Sequence, residues 1–305
     1  MLRIVLNRMN HRKLSKLSDL YFWAILALGI IYLASILWVF FQSSPGTLML
    51  IVYLFDARKY GYSLESYGNL SQLWISLGLW LLSLALIWRA LLAALKTVQM
   101  VRKTRMFVGG LKICSQTGKK VLFDSAGGEI FTAGLWSPKI YISKSLHKMH
   151  GSKELKAMVL HELNHAQSRD PLRTTVVGMV EKILPSFPGK TKLAGYFYTL
   201  VEVCADKKAE ERLGTGLPLI TALYKRLNWG DTAMLAGINF FSSQSERIGL
   251  LVGRKRLNKK MVLGVACSTG VGALVFAYLV TKVNFYSCPH LTLCLSAISS
   301  VLELH

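Results

Sequence analysis

The 21 residues Tyr21–Phe41, "YFWAILALGIIYLASILWVFF", carry no charge at all. About 20 apolar residues suffice to cross the hydrocarbon core of a bilayer as a helix. Two further runs have the same character. One covers about Leu73–Leu95, where the single charge, Arg89, lies toward the C-terminal end and can snorkel to the headgroups. The other covers about Met261–Thr281. Three such spans are hard to bury in a soluble chain of 305 residues, of which 52% are hydrophobic and only 17% charged. The expectation is a multi-pass membrane protein with about three transmembrane helices. The first run is too long for a signal peptide and no small-residue cleavage site follows it. Thr47–Phe55 is too short to span and suits the interface, and the tail 291–304 is not counted as a span.

The net charge of +21 is read against these spans. Arg3, Arg8, Arg12, Lys13 and Lys16 precede the first. Lys96, Arg102, Lys103, Arg105, Lys112, Lys119 and Lys120 follow the second. Arg247, Arg254, Lys255, Arg256, Lys259 and Lys260 precede the third, and only Lys282 follows it. The positive-inside rule puts the N-terminus and residues 96–260 in the cytoplasm, with the 42–71 loop and the C-terminal tail outside. Four segments are expected: 1–95 with spans 21–41 and 73–95, a cytoplasmic domain 96–260, the span 261–281, and a short outer tail 282–305. The basic run 253–260 reads as an anchor on anionic lipid of the inner membrane, not as a nucleic-acid site. Gly264, Ser268 and Gly272 form a small-residue stripe suited to packing against another span. Cys288 and Cys294, on the outer side, are a possible disulfide; Cys114 and Cys204 lie where thiols stay reduced.

Within 96–260, Val121–Phe123, Glu129–Thr132 and Lys139–Ser143 read as short strands, with Gly127 and Gly128 at a turn. The pattern then becomes helical. Ser152 is a candidate N-cap, Glu154 sits in the first turn, and Leu155, Met158, Val159, Glu162 and Leu163 recur at helical spacing. That helix should end before Pro171. A second helix should begin with Asp170 as its cap and Pro171 at its first position, and a third covers roughly Thr191–Leu213. Strands first and helices after define an α+β domain.

The chemistry concentrates in "HELNH", residues 161–165. On a helix, His161 and His165 stand one turn apart on one face, where they can share a metal ion, and Glu162 sits beside the first. Zinc lowers the pKa of a coordinated water toward neutrality, and an adjacent carboxylate can take the proton as the water attacks a carbonyl. The motif is rare by chance in a chain with seven histidines. A third ligand is needed. Glu202 in "LVEVCADKKAEE" is the candidate, with Asp206 one turn on accepting the other N–H of a ligand histidine. Glu181 is the rival third ligand. The plainer alternative for 200–211 is a surface helix of ion pairs, since Lys207, Lys208, Glu210 and Glu211 follow at once.

The stretch "AMVLHELNHAQSRDPLR" resembles the BlaR/MecR-type membrane metallopeptidases. "AGLWSPKIYIS" (133–143) is similar to the segment just upstream of that family's zinc helix, and "EVCAD" (202–206) to its glutamate-ligand motif. The resemblance covers about 125–210 closely and the flanking spans loosely. It implies a gluzincin: one Zn2+ held by His161, His165 and Glu202, with Glu162 as general base, in a cytosol-facing protease domain. It also implies that the strand beside the zinc helix, within 129–143, binds extended substrate by strand addition. The implied substrate is a cytoplasmic or juxtamembrane protein, such as a transcriptional repressor or the chain itself. Only 24 residues follow the third span, so the family's penicillin-binding sensor domain is not expected, nor direct β-lactam sensing. Two other readings stand beside this one: an HtpX-type quality-control protease, disfavoured by the Asp-Pro-Leu-Arg run, and a non-catalytic membrane regulator or scaffold.

Overall fold

The computed structural model describes residues 10–61, 70–184 and 190–228. Two long helices come first, α1 (His11–Tyr60) and α2 (Leu70–Gly109). Four short strands follow: β1 (Ile113–Thr117), β2 (Lys120–Phe123), β3 (Ile130–Ala133) and β4 (Lys139–Ser143). A single turn, α3 (Leu146–Met149), leads into α4 (Ser152–Ser168), α5 (Asp170–Ile183), α6 (Lys190–Leu213) and α7 (Leu217–Asn228). The described residues are therefore a helix-rich α+β arrangement, as the order of patterns implies. The third span, the 253–260 run, Cys288, Cys294 and the 291–304 tail lie outside the described residues.

Both α1 and α2 are long and apolar enough to cross a membrane, and only 22% and 11% of their most apolar windows are buried. Trp23, Ile30, Trp38, Phe41, Ile51, Phe55, Trp74 and Trp88 all point outward, which is unlike the core helix of a soluble protein. The helix α1 does not stop after Phe41. It continues through Pro45 to Tyr60, so the described part of the 42–71 stretch is helix where a loop was expected. Pro45 removes one ladder donor, while nearby hydroxyls bond back along the ladder: Ser43 to Val39 O at 2.8 Å and Thr47 to Ser43 O at 2.9 Å.

Contacts divide the chain into two compact units. Among the described residues, one joins the stretch up to Tyr32 with that from Trp88 to Asn228; the other contains Leu33–Ile87. In the second, Phe40 stacks on Trp80 with centroids 5.7 Å apart. A Cβ added at Gly46 would lie 2.6 Å from Ser76 Oγ, so glycine is what lets α1 and α2 approach.

The first unit is built around the sheet, in the order β1-β2-β4-β3, with β2 and β4 parallel and the other pairs antiparallel. Both faces of β2, β4 and β3 are covered. Ile130, Ile140 and Ile142 pack with Leu146, Met158 and Ala166 from α3 and α4. Val121, Phe123, Phe131 and Tyr141 pack on the other side with Val108 and Leu111. The strand β3 is terminal and lies against α4. A separate core joins α1 to α5 and α6: Ile25 packs with Val177, Val180, Phe197 and Val201. Arg89 does not reach away from the protein; its guanidinium donates to Leu184 O at 3.0 Å and Lys182 O at 3.4 Å, at the end of α5.

Candidate metal centre

His161, Glu162 and His165 lie on α4, whose inner face buries Ala157, Met158, His161, Asn164, His165 and Ala166. Gly151, not Ser152, occupies the N-cap position of this helix, and no side chain caps it. Glu202 and Asp206 face α4 from α6, one turn apart. His161, His165 and Glu202 each offer one ligand atom, all within 4.8 Å of one another, among the described residues. Glu181, the rival ligand, is not in that group.

The two imidazole Nε2 atoms are 3.0 Å apart. Glu202 faces both, Oε2 lying 3.6 Å from His161 Nε2 and Oε1 3.6 Å from His165 Nε2. The opposite edges of the rings are held by carboxylates: His161 Nδ1 is 2.8 Å from Asp206 Oδ1, and His165 Nδ1 is 2.9 Å from Asp170 Oδ2. His165 Nδ1 and Asp170 Oδ2 share a proton in a hydrogen bond, and Asp206 stands at ion-pair distance from His161 Nδ1. With Nδ1 protonated on both rings, both Nε2 lone pairs and the Glu202 oxygens converge on one point. Acceptors so arranged repel unless a cation stands between them. A tetrahedral zinc with bonds of ~2.0–2.1 Å sets neighbouring ligand atoms about 3.3 Å apart, which these spacings bracket. The donor set therefore fits a divalent metal such as zinc. Electrostatics agree. Burial alone would push the His165 pKa down, but the Asp170 hydrogen bond and the Glu202 charge outweigh it and the net shift is upward.

Glu162 points to the neighbouring sheet edge. The Thr132 hydroxyl on β3 lies 2.8 Å from Glu162 Oε2 and 3.0 Å from Glu162 O, so it can donate to the carboxylate and fix its rotamer. Beside the pair is a small recess, open to solvent, lined by Ile130, Met158, Leu219, Ala222 and Leu223 with His161 and Glu162. Its outer wall is α7, held by Lys225, whose ammonium is 2.9 Å from both oxygens of Glu154.

Three of these residues were not evident from the sequence as site residues. Asp170 was expected to cap α5. Its side chain instead accepts a hydrogen bond from His165 Nδ1 and another from Arg173 Nη1, each at 2.9 Å. The reason is the backbone of Arg169, which sits in the left-handed region at φ +53, the sole such non-glycine among the described residues. That conformation ends α4 and turns the chain sharply, bringing Asp170 back under His165. Arg173 and Thr132 lack any local signal beyond their spacing. No family model matches the chain, and no curated protein matches it.

Proposed function

We propose that the chain is a membrane-embedded zinc metalloendopeptidase of the BlaR/MecR-like kind, cleaving a protein at the cytoplasmic face of the inner membrane in regulatory proteolysis. The observation that carries this reading is the convergence of His161 Nε2, His165 Nε2 and Glu202 on one point with Glu162 alongside. A zinc ion held there would supply Lewis acidity, polarising a peptide carbonyl and acidifying water. The residues themselves divide the remaining work. Asp206 and Asp170 keep the Nδ1 protons, so both Nε2 lone pairs stay aimed at the ion. Thr132 holds Glu162 Oε2, leaving Oε1 to take a proton from water and pass it to the leaving amine. The terminal strand β3 has an edge for an extended substrate backbone. The apolar recess accepts a hydrophobic side chain next to the scissile bond. The outward-facing apolar surfaces of α1 and α2, with the Lys and Arg clusters beside them, support a bilayer setting with the site on the cytoplasmic side. A repressor or the chain itself is the substrate the resemblance favours, and no nucleic acid is bound.

The test is Glu162→Gln in the full chain. One zinc per chain should remain, cleavage should stop, and the fragment termini seen in wild-type cells should disappear. Fragments persisting in this variant, or a zinc content below one per chain that His161→Ala leaves unchanged, would refute the reading.

A further inference from the structure

We propose that Arg173 is a positioning residue through which the start of α1 fixes His165, making the first apolar helix part of the metal centre. The inference rests on the metal-site reading above. The guanidinium gathers oxygens from two distant parts of the chain. Its Nη1 donates to Asp170 Oδ1 at 2.9 Å, while Nη2 reaches Ser18 Oγ and Asp19 Oδ1, each at 2.9 Å. The plane is set by rings, with Phe22 at 5.5 Å and Phe197 at 5.4 Å from the guanidinium carbon. Ser18 and Asp170 are buried and Arg173 nearly so, while Asp19 is exposed. Asp170 spends its other oxygen on His165 Nδ1. A continuous run of short contacts therefore leads from Ser18 and Asp19, immediately before the apolar stretch that starts at Tyr21, to the imidazole whose Nε2 faces Glu202. A second contact joins the same two elements: His11 Nε2 is 3.2 Å from Asn164 Oδ1, the residue preceding His165.

The geometry explains why arginine stands at this position. A lysine can neutralise Asp170 but cannot present two nitrogens to Asp170 and Ser18 at once. If α1 slides or tilts, Ser18 and Asp19 move with it. Arg173 then either follows, turning Asp170 and with it His165, or lets go and leaves Asp170 with one partner fewer. An event sensed at the membrane thus reaches the metal ligands without any contact to the substrate.

The test uses the full chain in lipid nanodiscs, with two variants and two readouts that need no proteolysis. Arg173→Met keeps the packing between Phe22 and Phe197 but removes every polar contact. The pair Ser18→Ala/Asp19→Ala leaves Arg173 and Asp170 in place and removes every side-chain oxygen that α1 offers the guanidinium, leaving only the Phe22 ring. Zinc affinity is measured by competition with a chromophoric chelator, and ligand geometry by the visible absorption of the Co2+-substituted protein. Arg173→Met should weaken zinc binding by about 10- to 100-fold and change the Co2+ spectrum. The double variant should weaken binding by about threefold or more, in the same spectral direction. A folded Arg173→Met protein with zinc affinity within twofold of wild type and an unchanged spectrum overturns the role of Arg173. If Arg173→Met does not fold, the double variant decides by the same readouts. An effect of Arg173→Met with none from the double variant overturns the link to α1. A wild-type chain that binds no zinc sensitive to His161→Ala fails the metal-site reading itself, and the two failures are thereby distinguished.

Discussion

Replacing Asp206 by asparagine should move metal binding and folding stability in different directions. Asp206 is 1% exposed, and its Oδ1 stands 2.8 Å from His161 Nδ1. Asparagine keeps the size, and its carbonyl oxygen can still accept the Nδ1 proton, so the ring keeps its tautomer. Only the charge is lost. A hydrogen bond to a charged group is worth ~1.5–3 kcal/mol and a neutral one ~0.5–1.5 kcal/mol. The difference of about 1–1.5 kcal/mol corresponds to roughly tenfold in Kd, at the lower end of what such partners of metal-bound histidines contribute. Without metal the sign changes. Glu162, Glu202, Asp170 and Asp206 crowd around two imidazoles, and a buried carboxylate lacking a full counter-charge is costly. Removing one of the four should leave the thermal midpoint of the metal-free protein unchanged or higher. Zinc affinity is read by chelator competition and stability by thermal unfolding with and without EDTA. Zinc affinity within twofold of wild type would refute the role given to Asp206. So would a drop in the metal-free midpoint large enough to account for the lost affinity, because the residue would then be holding the fold and not the ion.

Three further outcomes follow from the same contacts. Thr132→Val keeps the shape of β3 but removes the donor to Glu162 Oε2; kcat should fall about tenfold, the equivalent of ~1.4 kcal/mol, with KM little changed, and equal kcat would show that the hydroxyl holds nothing. Glu154 is pushed up by burial, but the hydrogen bonds from Lys225 and His150 outweigh this and its pKa is lowered. Its stabilising contribution is therefore complete above the ordinary glutamate range and is lost as pH falls through the depressed value, so the gap in thermal midpoint between wild type and Glu154→Gln should close in acid; a gap independent of pH contradicts this. Burial raises the Cys204 thiol to about 12, whereas Cys114 is exposed. Peptide mapping after alkylation at pH 8 should find Cys114 modified and Cys204 intact until denaturant is added, and early labelling of Cys204 would show that α6 opens.

How much of this was legible in the sequence depends on how local each cause is. His161, His165 and Glu162 obey helical spacing alone, and so do Glu202 and Asp206, which is why the converging group was readable before any coordinates. The strands β2 and β4 announce themselves through apolar β-branched residues. The strand β1, "ICSQT", does not: every residue in it is exposed, so it has no buried face to leave a pattern. It pairs with β2 through backbone bonds that any sequence can make. The helix α6 buries Phe197, Leu200, Val201, Cys204, Ala205 and Ala209 over about half its circumference, but Asp206 is buried beside them and the apolar Tyr196 and Val203 lie on the other half, so its sequence shows no clean apolar stripe. The continuation of α1 past Pro45 was hidden for another reason. Ser43, Ser44 and Thr47 read as turn formers, yet in an apolar setting their hydroxyls bond back to carbonyls of the preceding turn and leave the helix intact.

The misreading of Asp170 is the most instructive, because two rules competed at one residue. An Asp before Pro at a helix start is an N-cap by local preference, and local preference is all that a sequence displays. The structure spends the carboxylate elsewhere because each oxygen finds a stronger partner: a ring N–H that must stay protonated for its other nitrogen to bind metal, and a guanidinium. Neither partner can be identified without knowing that Arg169 turns the chain and that a helix more than 150 residues earlier supplies Ser18 and Asp19 to hold Arg173. The candidate ligands follow the periods of single helices, the histidines on one and Glu202 on another, whereas residues that aim them are set by how helices meet. In this chain that meeting includes α1, so a change in the first apolar helix should register at the metal ligands before it registers in the fold.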